Sequence, residues 1–385
     1  MQETVFVLKL SKFCNLNCAY CYEHRELRVR DVMPAETVRR LFTDVGRFGT
    51  YLAARGISSK FSFVWHGGEP LLLPPGYYER IVELQQAHIR NFAYRNSVQT
   101  NLFGSNRDSL KFVLDAGWEL GVSIDFAEGI RTNAGGRDSN KSVIAAAEEL
   151  HRSGAKFGAI SVLGAHNCDA LPDAYDWVAE FAEGWRILPA FAGGPEENMA
   201  RLQLPEEEVV RTLVAVFERR ATAKKHIPIA PIDDYIKAAA LKIAGQTAHG
   251  DVDRDVLDNI FVINVNGDVF TRPFAYDQQF RLGNINCDSM IDIVGQETYR
   301  ACQAAIRRRK IRNCTGCGYR GICDTSPMHE HGSVTPDGVC VVPRRSIAEI
   351  GNVLFAAGVD RSVIAGWARE TEKPEKPGRR HNPCP

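Results

Sequence analysis

Cys14-Asn15-Leu16-Asn17-Cys18-Ala19-Tyr20-Cys21, a C-x3-C-x2-C run directly behind the apolar stretch 5–10, decides how this chain is read. Three thiolates are one short of a closed site. An iron–sulfur cube held by three cysteines keeps one iron open to a non-protein ligand, whereas structural zinc or a closed electron-transfer cluster wants a fourth protein donor. The spacing therefore points to chemistry rather than scaffolding. His24 follows Cys21 at x2 spacing, so Cys14, Cys18, Cys21 and His24 also fit a Cys3His zinc site. The rest of the chain decides against that alternative.

The chain has 385 residues and is 44% hydrophobic, enough for a large α/β domain and a smaller second one. Lysine plus arginine equals aspartate plus glutamate at 47 each, so no field of one sign points to nucleic acid or an anionic membrane. No apolar run approaches the ~18 residues of a membrane span, and no secretion signal opens the chain. A cytoplasmic protein is expected. Seven of the eleven cysteines fall in two sets with metal-ligand spacing, which reads as cluster binding rather than a disulfide framework. Cys168, Cys287, Cys302 and Cys384 are read as ordinary thiols.

Through the first half, short apolar runs alternate with amphipathic segments, the pattern of repeated βα units and a parallel sheet. Strands are predicted at 5–10, 60–65, 97–100, 119–124, 156–163 and 186–188, and helices at 37–55, 77–90, 107–116, 142–152 and 172–182. Polar motifs recur where these strands end. The second closes in Trp65-His66-Gly67-Gly68-Glu69-Pro70, where paired glycines allow close backbone approach, a glutamate offers an acceptor for an ammonium group, and a proline stiffens the exit. The third ends in Gln99-Thr100-Asn101 and the fourth in Val122-Ser123-Ile124-Asp125.

The cysteine loop, with its asparagines and an aromatic before the third cysteine, resembles that of the radical S-adenosylmethionine (radical SAM) superfamily. The Gly67-Gly68-Glu69-Pro70 stretch resembles that family's GGEP motif. The resemblance implies an open partial (β/α)6 barrel with reactive groups at the carboxyl ends of its strands. It implies a [4Fe–4S] cluster on Cys14, Cys18 and Cys21 whose open iron binds S-adenosylmethionine (SAM). It also implies that Tyr20, Gly67, Gly68, Glu69, Pro70, Asn101, Ser123 and Asp125 frame that cofactor. Asp125 lacks the glycine that follows it in close relatives, and Arg137 reads better as a solvated surface residue than as a partner of the SAM carboxylate.

Beyond residue 205 the pattern is helical, with Val209, Leu213, Val216 and Phe217 on one face, and Pro228 and Pro231 break it before a second helix at 232–243. Two strand-like runs, 259–265 and 268–274, flank Asn266-Gly267, a hairpin signal in which both turn residues take positive φ. The basic stretch 307–312 reads as a solvated helix end. Cys314, Cys317 and Cys323 follow as C-x2-C-x5-C, with Cys340 as a distant fourth donor, a set that suits a zinc ribbon or a closed cluster. With the hairpin and Leu282-Gly283-Asn284-Ile285, this set resembles the SPASM or twitch extension of radical SAM peptide-modifying enzymes. There it holds an auxiliary [4Fe–4S] cluster. Full SPASM domains carry a second auxiliary cluster on cysteines whose positions here are Arg272 and Pro327, so one is expected. Sulfatase-maturing relatives place a catalytic aspartate where this chain has Pro273, which counts against formylglycine formation.

Four segments are expected: a barrel over 1–225, bridging helices over 226–255, an auxiliary-cluster domain over 256–343, and C-terminal helices with a disordered tail over 344–385. The resemblance implies a maturase for ribosomally made peptides, using a 5'-deoxyadenosyl radical to oxidise an unactivated carbon and form a crosslink. Tailoring of a small metabolite and a zinc-stabilised interaction protein are the alternatives. The expected partners are a peptide substrate, a separate leader-binding protein, and an electron donor such as flavodoxin or ferredoxin; no nucleic acid or membrane partner is expected. No general base stands out. Arg186, Tyr276, Asp277 and the His329-Glu330-His331 run are candidates, and His66 reads as a packing neighbour.

Overall fold

The computed structural model describes residues 2–24, 26–190, 195–245, 259–271, 278–323 and 339–358. In chain order the first half comprises β1 (Gln2–Ser11), β2 (Leu16–Cys18), α1 (Ala35–Ala53), β3 (Ser59–Gly67), α2 (Pro75–His88), β4 (Ala93–Thr100), α3 (Arg107–Asp115), β5 (Glu119–Ser123), β6 (Arg131–Asn133), α4 (Asn140–Arg152), β7 (Gly158–Leu163), α5 (Leu171–Phe181) and β8 (Trp185–Pro189). The second half follows with α6 (Glu196–Leu202), α7 (Glu206–Thr222), β9 (Ile229–Ala230), α8 (Ile232–Ile243), β10 (Ile260–Ile263), β11 (Asp268–Phe270), β12 (Gly283–Asn284), α9 (Met290–Gly295), α10 (Glu297–Cys314) and α11 (Val342–Ala356).

All six predicted parallel strands form, joined by the predicted helices, and the sheet stays open. Its order is β12-β11-β10-β1-β3-β4-β5-β7-β8-β9. Period-two alternation explains how it is covered. On β1, Thr4, Phe6, Leu8 and Leu10 are buried, while Glu3, Val5 and Val7 are only partly so; β7 alternates in the same way. Helices therefore seal one face, where Phe42 of α1 meets Phe63 edge-on with ring centres 5.1 Å apart. The concave face keeps partial exposure, unlike a parallel sheet sealed on both sides. It is left for a site.

Four strands, β9 to β12, extend the sheet beyond the six predicted parallel ones. β9 adds a short parallel strand beside β8. β10 lies parallel to β1, with Val5 opposite Ile260 and Leu8 opposite Ile263, so the C-terminal hairpin continues the main sheet. Phe261 stacks on Phe6 at 5.8 Å, and Phe6 on Phe63 at 5.6 Å.

The hairpin forms, but its turn differs from the expectation. Only Gly267 has positive φ, 89°, and Asn266 does not. Gly267 N–H donates to Asn264 O at 2.8 Å and Asn264 N–H to Asp268 O at 2.9 Å, the bonds of a longer loop whose last position is a left-handed glycine. Asn266 instead works through its side chain, which accepts from Asp268 N–H at 3.1 Å and donates to the Asp268 carboxylate at 2.7 Å. α11 packs on α7 and α8, with Arg345 bridging to Glu207 at 2.6 Å.

Candidate active site

The cysteine loop leaves β1 and is clasped at once by the end of β3. Gly68 N–H donates to Ser11 O at 2.7 Å, and Glu69 N–H to Phe13 O at 2.9 Å. A Cβ on Gly68 would lie 2.2 Å from Phe13 O, and one on Gly67, whose φ is 131°, 2.4 Å from Ser11 O. Glycine at both positions is what lets the two backbones touch. Farther along, β2 pairs antiparallel with β6, placing Leu16 opposite Asn133 and Cys18 opposite Arg131. Cys21 N–H then bonds to Cys18 O at 3.0 Å, coiling the end of the loop.

Cys14, Cys18 and Cys21 are free thiols, and Cys14 Sγ accepts from Leu16 N–H at 3.4 Å and from Asn101 Nδ2 at 3.5 Å. Burial raises the pKa of all three, Cys21 to about 12, and neighbouring negative charges add to the shift. Arg131 opposes the shift at Cys18. Grouped thiols that resist ionisation, with N–H donors already aimed at sulfur, fit a site where bound iron supplies the missing positive charge. Among the described residues, no three His, Cys, Asp or Glu side chains converge as the ligands of one metal ion would.

Glu69 is buried and couples two strand ends. Its Oε1 accepts from Leu71 N–H at 2.9 Å and Thr100 Oγ1 at 2.7 Å, and its Oε2 accepts from Asn101 N–H at 2.6 Å. Burial raises its pKa to about 7. A carboxylate offers about four acceptor positions, so room for roughly one more donor remains. Pro70 opens a short 3-10 turn and its carbonyl accepts from Tyr78 Oη at 2.6 Å. Asn101 Nδ2 also reaches Asn15 Oδ1 at 2.9 Å, so the end of β4 touches the cysteine loop directly.

Tyr20 and Asp125 meet beneath the loop. The Tyr20 hydroxyl donates to Asp125 Oδ2, Val162 N–H donates to Oδ1 at 2.8 Å, and Arg131 lies 3.5 Å from Oδ2. Asp125 is fully buried. Ser123 sits half-buried on the concave face and accepts from Gln99 Nε2 at 2.8 Å. Arg137 is exposed on a turn. Arg186, solvent-reached on β8 opposite Ile160 and Ala230, has its pKa lowered by the surrounding protein and then by Arg95. Tyr276, Asp277, His329, Glu330, His331, Arg272, Pro273, Pro327, Cys384 and the tail beyond 358 lie outside the described residues.

Sequence reasoning missed three features. Lys9 and Glu23 form a fully buried ion pair at 2.6 Å, and Lys9 also donates to the Tyr22 hydroxyl and lies 3.2 Å from His66 Nδ1. A lysine inside an apolar strand was the available signal. His66 Nδ1 also accepts from Gly67 N–H at 2.7 Å, and burial followed by the Lys9 charge lowers its pKa to about 3. His66 therefore has a neutral, structural role in a polar core. Arg131 and His166, whose ring stacks on Tyr20 at 6.1 Å, stand in loops with no distinguishing pattern.

Cys314 is the last residue of α10, and Cys317, Cys323 and Cys340 follow beyond it, without three of these side chains converging as one metal ion's ligands would. Cys317 N–H bonds to Cys314 O at 3.0 Å, Cys323 N–H to Tyr319 O at 3.0 Å, and Cys340 N–H to Asn313 Oδ1 at 2.9 Å. Burial and then the neighbouring Cys323 raise the Cys340 thiol. Tyr235 of α8 approaches Cys323 and Cys340, and its buried hydroxyl has no hydrogen-bond partner among the described residues. A buried donor near these two thiols suits a site where thiolate sulfur would accept from it.

Residues 8–178 match the radical SAM superfamily, and residues 255–318 match SPASM, an iron–sulfur cluster-binding domain. The serine-type anaerobic sulfatase-maturating enzyme of Bacteroides thetaiotaomicron is 23% identical over 366 residues, covering 87% of this chain and 84% of that protein. A cysteine-type counterpart from Clostridium perfringens is 26% identical over 187 residues, 46% of this chain and 48% of that protein. Among solved structures, anSMEcpe with bound AdoMet and Kp18Cys peptide superposes with a TM-score of 0.72 at 18% identity, covering 96% and 99% of the two chains. Streptococcus suis SuiB bound to S-adenosylmethionine gives 0.58 at 14% identity, covering 89% and 77%. The clasped three-cysteine loop, the open sheet and the second thiol set thus belong to a radical SAM superfamily enzyme with a SPASM domain, whose cofactors are [4Fe–4S] clusters and S-adenosylmethionine.

Proposed function

We propose that this enzyme oxidatively modifies a peptide at an unactivated carbon, with a crosslink as the leading product. The reading is carried by the B. thetaiotaomicron relative, which aligns over most of both chains and is named for maturating a protein substrate. SuiB, a fold neighbour, has been solved with its precursor peptide SuiA. When bound, the three-cysteine cluster and SAM supply a 5'-deoxyadenosyl radical able to take hydrogen from such a carbon.

The chain's own residues supply placement. Cys14, Cys18 and Cys21 hold the cluster, Gly67 to Pro70 fix the loop that presents it, and Tyr20, Asn101, Ser123 and Asp125 frame the SAM side. The concave face offers Val5, Val7, Gln99, Ser123 and Arg186 to an extended peptide, a lining of mixed polarity that one open side leaves reachable. Cys314, Cys317, Cys323 and Cys340 would hold one auxiliary cluster, which would supply an electron acceptor for substrate oxidation. Flavodoxin or ferredoxin delivers the priming electron, and a separate protein binds the leader. Pro273, at the position the family resemblance gives to a catalytic aspartate, favours this reading over sulfatase maturation.

Anaerobic reconstitution with iron and sulfide, then SAM and dithionite, tests the proposal. About eight irons per chain, two four-iron clusters, are expected, with 5'-deoxyadenosine formed by the wild type and lost in the Cys14, Cys18, Cys21 triple alanine variant. Cys317→Ala is expected to keep SAM cleavage and lose peptide product. Full product from Cys317→Ala would remove the auxiliary electron-transfer role.

A further inference from the structure

We propose that Tyr235 of α8 is a positioning residue for the auxiliary cluster, its hydroxyl donating to a cysteine sulfur there and biasing the cluster toward its reduced form, a reading that rests on the auxiliary-cluster assignment above. Tyr235, Ala238, Ala239 and Lys242 follow one another at helical spacing along one face of α8. At the far end of that face Lys242 Nζ donates to Gly318 O at 3.0 Å, and the adjacent Leu241 packs on Ile322, so the segment between Cys317 and Cys323 lies against α8. α11 begins at Val342, just past Cys340, and packs on the same helix, where a Cβ on Gly351 would lie 3.8 Å from Ala239 Cβ. Cys340 N–H in turn bonds to Asn313 Oδ1 at 2.9 Å, next to Cys314. Tyr235, one turn before Ala239, is thereby held where Cys323 and Cys340 both bear on it.

The hydroxyl has no use in the fold itself. Tyr235 is fully buried, and its Oη has no hydrogen-bond partner among the described residues. Tyr78 and Tyr175 are buried as deeply, yet Tyr78 Oη donates to Pro70 O at 2.6 Å and Tyr175 Oη to Lys225 O at 2.8 Å. Buried phenols ordinarily find such a partner, and one left without it is unfavourable until an acceptor arrives. Burial, and then the charges of Cys323 and Cys340, hold the Tyr235 pKa above its ordinary value, so the group keeps its proton and remains a donor beside thiolates. An O–H···S bond stabilises the more negative, reduced state of a cluster and so raises its potential.

The test is a redox titration of the full chain with both clusters loaded, followed by electron paramagnetic resonance. The auxiliary cluster is identified as the signal that SAM leaves unchanged. Tyr235→Phe is expected to shift its reduction equilibrium about tenfold toward the oxidised form, equivalent to about 59 mV lower for a one-electron couple, and to leave the SAM-site signal in place. Before iron is added, the same variant should unfold at the wild-type denaturant midpoint or a higher one, because only an unpartnered buried hydroxyl is lost. An unmoved auxiliary potential would overturn the proposal. So would equal shifts of both clusters, or a lower midpoint without iron, which would show that the hydroxyl already has its partner in the fold. If Tyr235→Phe takes up only the SAM-site cluster, an undiminished midpoint supports the proposal and a lowered one overturns it. A wild type that loads only the SAM-site cluster would overturn the auxiliary-cluster assignment together with it.

Discussion

At Gly68 the distance to the next backbone leaves no room for a single carbon. The nearest atoms to an added Cβ are the Phe13 carbonyl oxygen at 2.2 Å and carbon at 2.4 Å, neither of which swings aside as a side chain does. Gly68→Ala is therefore expected to cost about 1–3 kcal/mol or more and to lower iron content, because the displaced segment leads into Cys14. Gly295, where an added Cβ meets nothing within 4 Å, supplies the control: Gly295→Ala should leave the denaturation midpoint and iron content nearly unchanged. Equal behaviour of the two variants would refute the clasp. The glycine pair was legible from the sequence as a place of close approach. Its partner was not, since nothing in the spelling of residues 11–13 marks their carbonyls as the surface approached. Glu69 shows the same limit: its acidity and position were readable, whereas its three internal donors come from residues that only the fold brings near.

Among elements, the parallel strands were legible because each is a short apolar run bounded by turn residues. The helices were legible from their spacing of apolar side chains. β2, β6 and β9 were missed because two or three residues carry no periodicity, and their pairing comes from neighbours fixed elsewhere. β10 was recognised as a strand but not as a neighbour of β1, because parallel register between distant segments leaves no local trace. That contact carries weight. Phe261 is 1% exposed, stacked between Phe6 and Tyr299, the latter at 6.0 Å. Phe261→Ala should cost about 3–5 kcal/mol, read from denaturant midpoints, and iron should leave the second thiol set before the first. A cost below about 1 kcal/mol would mean that the hairpin hangs free of the sheet.

On the scale of the whole molecule, the core and the two thiol sets are separable. The buried aromatics Phe6, Phe42, Phe61, Phe63 and Trp65 lie on the helix-covered side of the sheet, whereas the first cysteine set follows the carboxyl end of β1 and the second lies at and beyond the end of α10. Small metal domains unfold without their ion, but a core of this size is not expected to. Chelation of iron should leave the far-ultraviolet circular dichroism nearly intact and raise hydrogen exchange around residues 11–24 and 314–323. Loss of most helical signal would show that the clusters hold the fold. None of the described helices is long and apolar enough to cross a membrane. The balanced charge, readable from composition alone, set the expectation that binding does not depend on a one-signed surface.

The union of β10 with β1 also has a consequence for biosynthesis. Val5 leaves the ribosome about 250 residues ahead of Ile260, its partner in the sheet. At roughly 5–20 residues per second, that interval is about 12–50 s. Throughout it, one side of a strand whose every second residue is apolar has no neighbour, and its free amides and carbonyls are open to any passing chain. Slow translation or a stalled ribosome therefore threatens this protein most before its last hairpin is made, and recombinant yield should depend on chaperone supply and growth temperature more than on iron.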